Sequence, residues 1–251
     1  MKKLILWVFA VFFTGCCVFA KARHPEERMT LAEEIKEKTV AFVYYDTDKD
    51  KIATYCAGVW ITHEHILTAA HCVRARYDVS DTNKTWNPTG KKIEYSTPED
   101  VEAGDSPTYF HVAYVLGYDY DKDIAVVKID KDDLPKNQRD HIHALFSKEN
   151  VHMGDKVHTV GNTLGHWWTY MSGWVSAPVR YDTAHELYKH DFKSMQINTF
   201  VTYGNSGGGC FNENGTLEGI VSFIDPRRQG LGFCIHKDVV KEFLDDNRVD
   251  Y

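Results

Sequence analysis

From Thr39 onwards, short apolar runs rich in Val, Ile, Tyr and Phe are separated by Gly, Asn, Asp and Pro. Runs of this length and composition, bounded by turn-forming residues, predict β-strands. Helical periodicity is weak until residues 238–247, where apolar side chains recur on one helical face. Many short strands followed by one terminal helix indicate an all-β barrel or sandwich. The predicted strands are residues 39–45, 53–61, 65–73, 109–118, 124–129, 156–162, 168–179, 194–201, 217–224 and 232–239.

Two longer stretches lack this strand pattern. Residues 74–108 are acidic and rich in Asp, Thr and Pro, and we interpret them as surface excursions. Residues 131–154 connect the two strand-rich halves of the chain. A binding loop is the alternative for either stretch, without a specific motif to support it.

The amino-terminal segment has a different pattern. A basic head, Met1-Lys2-Lys3, precedes an unbroken apolar run at residues 4–13 and smaller residues that end at Ala20. This order is typical of a secretory signal peptide, which we place at residues 1–20. Residues 21–38 are polar and predict a spacer or a short surface helix. The folded domain is therefore expected at residues 39–251, in an exported protein that is periplasmic or secreted.

Two other interpretations of the amino terminus stay open. The apolar stretch of residues 4–20 is close to the minimum length that crosses a bilayer, so an uncleaved anchor is the first. The second is a lipoprotein cut before Cys16, since residues 13–16 (FTGC) are similar to a lipobox. We expect membrane attachment only if Cys16 is lipidated or the segment stays uncleaved.

Composition narrows the class of protein. The 251 residues are 43% hydrophobic and 26% charged, as in ordinary soluble globular proteins. The net charge is −7, and it would be −9 without residues 1–20, which hold two Lys and no acid. An acidic chain without a basic patch predicts no nucleic-acid partner. Four cysteines would remain, and an even number in an exported chain favours disulfides over a metal site.

Thirteen histidines raise the question of a metal site. Two H-x-H pairs and two further histidines in one loop stand out, but none has a zinc-like spacing with cysteines or acids. We therefore predict surface or turn histidines and no bound metal. The residues concerned are His63, His65, His141, His143, His185 and His190.

Three short segments carry candidate chemistry: residues 67–72 (LTAAHC), 121–128 (DKDIAVVK) and 204–209 (GNSGGG). They offer an imidazole, a carboxylate and a hydroxyl inside a glycine cluster. A serine hydroxyl is a weak nucleophile at neutral pH, and it needs a base that a carboxylate orients. The glycines allow a sharp turn that aims backbone N–H groups at an oxyanion. Each segment alone is common in proteins, and only the three together indicate catalysis.

These segments resemble the trypsin-like serine peptidase superfamily. The resemblance is carried by CAGVWITHEHILTAAHC at residues 56–72, DIAVVKI, GNSGGG and GIVSF, and it extends from about Thr39 to Leu244. Within the superfamily, VHMGDKVHTVGNTLG, SGWVSA, QINTFVTYGNSGG and GLGFCI are most similar to the bacterial high-temperature-requirement (Deg-type) proteases. The staphylococcal glutamyl endopeptidases are a more distant match.

The resemblance implies a fold of two six-stranded antiparallel β-barrels with the active site between them. Barrel one would span about 39–130, barrel two about 151–236, and a short carboxy-terminal helix about 238–247. The implied activity is that of a serine endopeptidase that acts on protein or peptide substrates through an acyl-enzyme, without metal or organic cofactor. The alternative is a catalytically silent fold of the same kind that acts as a binding module.

The resemblance also assigns roles to individual residues. His71 would be the general base, Asp123 its orienting partner and Ser206 the nucleophile. Asp121 is the rival carboxylate, but the apolar strand that begins at Ile124 favours Asp123. The N–H groups of Gly204 and Ser206 would form the oxyanion hole.

Further residues are implied to bind substrate. Ser222 would support the buried aspartate, and residues 222–224 would pair with the substrate backbone as an edge strand. Phe200 would lie at the base of the specificity pocket, and the other predicted substrate-binding residues are Phe223, Ile224 and Gly232. Because no acid stands at the base, we expect aliphatic or small side chains before the cut.

The resemblance implies a disulfide between Cys56 and Cys72, which commonly closes the histidine loop of the family. A second disulfide between Cys210 and Cys234 is predicted from their expected places in barrel two. Its alternative is two small buried apolar side chains.

Two departures from the family pattern change the expectations. Trypsin has Asp before the serine, where it pairs with a new amino terminus, but this chain has the neutral Asn205. We therefore expect activity without amino-terminal insertion. Deg-type proteases usually carry PDZ domains after the peptidase, whereas the 45 residues after Ser206 predict none here. The oligomeric state stays open.

Overall fold

The computed structural model describes residues 29–77, 87–101, 106–130, 142–181, 192–224 and 230–251. The strands form two closed antiparallel barrels of six strands each, followed by a short helix, which confirms the predicted fold class. The first barrel contains β1 (Thr39–Asp46), β2 (Lys51–Trp60), β3 (His65–Thr68), β4 (Lys92–Ser96), β5 (His111–Asp119) and β6 (Ile124–Ile129). The second contains β7 (Lys156–Gly161), β8 (Thr169–Arg180), β9 (Ser194–Ile197), β10 (Gly209–Phe211), β11 (Leu217–Ile224) and β12 (Gly232–His236).

The two barrels use the same strand order. In the first, β1 pairs with β2 and β4, and β6 lies between β3 and β5. In the second, the order β10-β11-β12-β9-β8-β7 closes through pairing of β10 with β7. Closure leaves no long free edge in either sheet, which is how antiparallel barrels protect their strand edges.

The described residues also form three α-helices: α1 (Leu31–Glu37), α2 (Ala70–Arg76) and α3 (Lys237–Asp246). Helix α1 lies within the predicted spacer and begins with a capping box of Thr30 and Glu33. It is more than a surface helix, because Ile35 is fully buried in the hydrophobic core. Helix α3 corresponds to the predicted terminal helix, and its apolar face, which includes Phe243 and Leu244, is buried.

The prediction of one strand over residues 65–73 is wrong beyond Thr68. Strand β3 ends there and helix α2 begins at Ala70. The N-cap residue Ala69 offers no side-chain cap. Instead Asp123 supplies the acceptors, since its carbonyl accepts from the Ala70 N–H at 3.1 Å and its carboxylate from the His71 N–H at 2.9 Å. A distant residue therefore stabilises the start of α2.

Buried apolar side chains form three clusters. One fills each barrel, and the largest lies between the barrels and joins α1 and α3 to both sheets. The interface cluster contains Val59 and Ile124 of the first barrel with Ile220 and Ile235 of the second. The two barrels therefore share a core, which fixes the relative position of residues that face the cleft between them.

Both predicted disulfides are present. Cys56 and Cys72 join β2 to α2 with a Cα–Cα distance of 6.0 Å, and Cys210 and Cys234 join β10 to β12 with a Cα–Cα distance of 6.7 Å. Each disulfide lies in the core of its own barrel. The first cross-links the residue beside His71 to the barrel wall.

The predicted signal peptide, residues 1–20, lies outside the described residues. Among the helices that the structure does describe, none combines the length and the apolar character needed to cross a bilayer.

Candidate active site

The imidazole of His71 and the carboxylate of Asp123 form a close pair between the barrels. His71 Nδ1 lies 2.9 Å from Oδ2 and 3.0 Å from Oδ1 of Asp123. Helix α2 carries His71, and Asp123 lies in the tight turn between β5 and β6. Asp123 adopts a left-handed backbone conformation with φ of 55°, which Asp tolerates better than most residues. This conformation lets its carbonyl and its carboxylate both reach α2.

The carboxylate of Asp123 is held by three donors. Besides the ring and backbone N–H of His71, the hydroxyl of Ser222 donates to Oδ2 at 2.5 Å. Burial raises the pKa of Asp123, but its interactions with His71 and Ser222 outweigh this effect and the pKa lies below its ordinary value. The group is therefore ionised at neutral pH. The rival Asp121 is exposed on the surface.

Ser206 lies in the glycine cluster and is anchored to the first barrel. Its carbonyl accepts from the Ala57 N–H of β2 at 2.8 Å. Its hydroxyl lies 3.4 Å from the carbonyl oxygen of Ser222, whose own side chain contacts Asp123. Ser222 thus connects the hydroxyl of Ser206 with the carboxylate of Asp123. These contacts link Ser206 to Asp123 through Ser222, and Asp123 in turn contacts His71.

Glycine is required at two positions of this turn. Gly207 has φ of 83°, and a Cβ there would lie 2.1 Å from Oγ1 of Thr68 and 2.3 Å from the carbonyl of Ala57. Gly204 has φ of 94°, and its Cβ would lie 2.0 Å from the carbonyl of Asn162. The loop therefore passes too close to its neighbours for any other residue.

The peptide bond between Tyr203 and Gly204 has a defined direction. The carbonyl of Tyr203 accepts from the Leu164 N–H at 2.9 Å. In a trans peptide the N–H points opposite to the carbonyl, so the Gly204 N–H points away from Leu164. Within the described residues, neither this N–H nor that of Ser206 donates to a protein acceptor.

Asn205 is buried, with 1% of its surface exposed, and it has polar partners. Its Oδ1 accepts from the hydroxyl of Thr163 at 2.9 Å, and its amide nitrogen lies 3.8 Å from the sulfur of Met171. Asn205 is therefore held by a neutral hydrogen bond to Thr163, whereas the Asp at the same position of trypsin forms an ion pair with a new amino terminus.

Asn162 is a further functional candidate that the sequence did not single out. Its backbone N–H donates to the carbonyl of Gly204 at 3.1 Å, and its side-chain amide donates to the carbonyl of Cys56 at 3.2 Å. Its Oδ1 accepts from the Trp168 N–H at 3.2 Å. One fully buried residue therefore contacts the glycine loop through its backbone and Cys56 of the histidine disulfide through its side chain. Its only sequence signal was its place in the motif GNTLG.

The predicted substrate-binding residues lie on β11, at the start of β12 and, for Phe200, three residues after the end of β9. Ser222, Phe223 and Ile224 form the end of β11, and Phe223 stacks on Phe233 with a centroid distance of 4.6 Å. A Cβ at Gly232 would lie 3.0 Å from Val201, so Val201 covers this glycine. Phe200 is 57% exposed, so in this structure it is not an enclosed pocket floor.

Of the histidines considered for metal binding, His63, His65 and His143 lie within the described residues. His63 and His143 pack edge to face with a centroid distance of 4.9 Å, a pair that the sequence did not predict. His65 Nδ1 lies 2.9 Å from the hydroxyl of Thr62. His141, His185 and His190 lie outside the described residues. Among the described residues, the one group of three potential metal ligands is Cys56, His71 and Cys72, and the two cysteine sulfurs form a disulfide.

Comparison with known families decides the affiliation. The sequence profile of the family described as Trypsin matches residues 31–244. The chain belongs to the trypsin family. The match begins at the first residue of α1 and ends at Leu244, so it covers α1 and most of α3.

Curated relatives of this trypsin-family chain are Deg-type and HtrA-like proteases, in agreement with the resemblance of its motifs. Protease Do-like 1 of Arabidopsis thaliana, a chloroplastic protein, is 30% identical over 190 residues, which cover 74% of this chain and 37% of that protein. Periplasmic serine endoprotease DegP of Salmonella typhimurium is 34% identical over 142 residues, covering 55% of this chain and 28% of that protein. The chain spans less than two fifths of the length of these relatives.

Solved structures support the fold. The Rv3671c protease of M. tuberculosis in its active form has a TM-score of 0.64 at 17% identity, covering 88% of this chain and 85% of that chain. The serine endoprotease of Yersinia pestis has a TM-score of 0.59 at 19% identity, covering 88% of this chain and 68% of that chain.

Proposed function

We propose that this chain is an exported serine endopeptidase that hydrolyses peptide bonds through an acyl-enzyme on Ser206. The observation that carries the proposal is the hydrogen-bonded pair of His71 and Asp123 beside Ser206, whose loop offers two unused N–H groups. A catalytically silent binding module, the alternative, would not need all of these groups. We expect no cofactor, since these side chains supply the nucleophile and the base.

The protonation states follow from the hydrogen bonds. An ionised Asp123 accepts only, so Nδ1 of His71 must carry the proton in that contact. Nε2 is then the unprotonated ring nitrogen and takes the proton of the Ser206 hydroxyl. Ser206 Oγ bonds to the scissile carbonyl carbon, and the protonated imidazole gives its proton to the departing amine. Water then gives its proton to His71 and attacks the acyl carbon, and the ester bond to Ser206 breaks. Ser206 regains its proton from the imidazole, and the carboxylic acid is released.

The developing oxyanion would be stabilised by the N–H groups of Gly204 and Ser206. Preorganised donors stabilise the transition state because they need no reorientation when charge appears. The hydrogen bond of the Tyr203 carbonyl to Leu164 supports this role, since it holds the Gly204 N–H in one direction.

The acyl side of the substrate would pair with the end of β11 at residues 222–224. There β11 is bonded to β12 on one side, while β10 pairs with β11 only up to Ile220. A substrate strand would be added at this end of β11, beyond the paired part of β10. Phe200, Ile224 and Gly232 are our candidates for contact with the side chain before the cut, with a preference for aliphatic or small groups.

Export is supported by two features. Residues 1–20 have the order of a signal peptide, and each barrel contains a disulfide, as expected for an oxidising compartment. The relatives include proteins named as periplasmic. Cleavage of residues 1–20 and attachment to a membrane through a lipidated Cys16 are alternatives within this proposal, and mass spectrometry of the exported protein would distinguish them.

Labelling with a fluorophosphonate tests the proposed activity. We expect the protein purified from residue 21 to react stoichiometrically, with the phosphonate on Ser206 as located by mass spectrometry. The same preparation should cleave a reduced and alkylated protein, and Ser206→Ala should do neither. A protein that binds unfolded chains without labelling or cleavage would support the binding module instead.

We also propose that activity needs no new amino terminus, because Thr163 rather than an ion pair holds Asn205. Thr163→Val leaves the buried Oδ1 of Asn205 without its donor, at a cost of about 1–3 kcal/mol if the loop keeps its place. We expect kcat to fall about tenfold with little change in KM, since the loop carries the oxyanion donors. Steady-state kinetics measure this split.

Thr163→Ser is the matched control, because it keeps the hydroxyl and should retain near-normal kcat. Amino-terminal sequencing of active protein should show no cut beyond the signal peptide. Activity that appears only after trimming within residues 21–38, with a matching new terminus, would contradict the proposal. So would a Thr163→Val protein with unchanged kcat.

A further inference from the structure

A large cleft opens beside Gly204, on the side of the site away from β11. Its volume is about 970 Å³, and it is bounded by β2, the turn at residues 162–168 and Tyr203. No residue of β11 or β12 lines it. The residues proposed to receive the acyl part of a substrate are therefore separate from it. We call it the leaving-group cleft.

The basic side chains of the leaving-group cleft contrast with the acidic chain as a whole. Lys36, Lys49 and Lys51 line it, whereas no carboxylate among the described residues does. Lys49 is paired with Asp46 at 3.0 Å. Lys36 and Lys51 make no ion pair within 4.0 Å with any described residue, and the two carboxylates on which Lys36 acts, Glu33 and Glu37, do not line the cleft. In a protein of net charge −7, two unpaired ammonium groups in one cleft favour an anionic ligand.

Aromatic side chains form the other part of the lining. Trp167 and Trp168 come from the turn at residues 162–168, and Tyr44 and Tyr55 from the facing hairpin of the first barrel. Tyr203, next to Gly204, is 79% exposed. Exposed aromatic groups at the mouth of a polar cleft give contact area for an extended peptide.

The cleft lies beside Gly204, and its position relative to Ser206 determines which part of a substrate enters it. In the proposed mode of binding, an acyl segment paired with β11 would end at Ser206, and its carbonyl oxygen would lie at the Gly204 N–H. The chain after the scissile bond must leave on the other side of Gly204, where Tyr203 and Tyr55 open into the cleft. At about 3.3 Å per extended residue, several residues of that segment would run through it.

On the basis of the proposed peptidase activity, we propose that the leaving-group cleft binds the segment after the scissile bond and selects segments that carry carboxylates. Lys36 and Lys51 would contact the anion, and the aromatic groups would contact the neighbouring side chains. The carboxylate can belong to Asp or Glu or to the end of the substrate chain, and the same lysines would bind either. The substrate class is thus an unfolded acidic protein or peptide.

Matched peptides test this preference in the purified protein. A cleavage site mapped by mass spectrometry is copied into amidated peptides that differ only in carrying Glu, Gln or Lys at the second to fourth positions after the cut. We expect kcat/KM to be about fivefold higher for Glu than for Gln, mainly through KM, and lowest for Lys. A second set of peptides carries Gln at these positions and a free carboxy terminus, and it tests whether the terminal carboxylate of the substrate is also preferred.

Charge-neutral variants assign the preference to the cleft. Lys36→Gln with Lys51→Gln should reduce the ratio of kcat/KM for the Glu peptide to that for the Gln peptide to about one. Lys148→Gln is the control, because Lys148 is an exposed lysine on the connection between the barrels. The gain should also shrink in 0.5 M salt.

The possible results distinguish the proposed carboxylate preference from the proposed peptidase activity, on which it rests. A gain from either carboxylate that depends on Lys36 and Lys51 supports it. Equal kcat/KM for all peptides, or a preference for carboxylates that persists in the double variant, contradicts the proposed preference. If Ser206 is still labelled in that case, the proposed peptidase activity is unaffected. A protein that neither labels nor cleaves overturns both.

Discussion

Asp123→Asn is expected to lower kcat by about 10⁴-fold at neutral pH with a small change in KM. The carboxylate of Asp123 accepts from three donors: the ring N–H and backbone N–H of His71 and the hydroxyl of Ser222. An amide has one acceptor oxygen, so at least one donor would face the NH₂ group. If that donor is the ring nitrogen, His71 adopts the other tautomer and can no longer accept a proton at Nε2.

Two other variants serve as comparisons for Asp123→Asn. Asp121→Asn changes the rival carboxylate, which is exposed, and should keep kcat within about twofold. Ser222→Ala removes one of the three donors and should have an intermediate effect of about tenfold, since hydrogen bonds to charged groups contribute roughly 1.5–3 kcal/mol. Fluorophosphonate labelling of Ser206 should slow in the same order.

Folding must be measured alongside activity, because Asp123 also holds the start of α2. Asp123→Asn keeps one acceptor for the His71 N–H and leaves the backbone carbonyl bonded to Ala70. The variant should therefore keep its circular dichroism spectrum and a cooperative unfolding transition. A folded Asp123→Asn protein with kcat within tenfold of the original would refute the assigned role of Asp123.

The proposed triad was predicted from sequence because each member lies in a short local motif. The strand of residues 124–129 is continuous and apolar, and its observed limits are those predicted. It favoured Asp123 over Asp121 because the carboxylate next to a buried strand lies nearer the core. The order of the three motifs then gave the family, and the family gave the double barrel.

The sequence pattern failed where a structure depends on distant partners. Strand β4 was missed among polar residues, although Ile93 and Tyr95 alternate with polar neighbours and are fully buried. Strand β10 begins in the glycine cluster, where β propensity is low. Helix α2 begins where Asp123 binds its first N–H groups, and no local residue signals this.

Features assembled from several segments could not be predicted at all. The hydrogen bond from Thr163 to Asn205 joins residues 42 positions apart. The leaving-group cleft combines the hairpin of β1 and β2, the turn at residues 162–168 and the loop before Ser206. Local patterns predict which residues can do chemistry, but the spacing between them depends on how the barrels pack.

Lys237→Met is expected to lower the free energy of unfolding by about 3–5 kcal/mol, the largest effect on stability that we predict. Lys237, at the start of α3, lies 2.8 Å from Glu218 of β11, and both side chains are 3% exposed. Lys237 also donates to the carbonyl of Glu149, and Asn212 donates to the other oxygen of Glu218 at 2.7 Å. Removing the cation leaves a buried carboxylate with a single neutral donor.

A double-mutant cycle separates the cost of an unpaired charge from the value of the pair. Glu218→Leu alone should cost about as much as Lys237→Met alone, because each leaves one buried charge uncompensated. Together they should cost at least 2 kcal/mol less than the sum of the single effects. Urea unfolding with both disulfides intact measures the four free energies. Additive effects would contradict the assignment of a coupled buried pair.

An exposed pair in the same barrel provides the control. Lys156 and Glu213 lie 3.6 Å apart with 53% and 65% of their side chains exposed, so solvent screens their attraction. Lys156→Met should therefore change stability by less than about 0.5 kcal/mol. Glu218 lies four residues before Ser222 on the same strand. At 25 °C, Lys237→Met should lose stability without losing kcat, because the pair holds α3 against the barrel but contacts no reacting group.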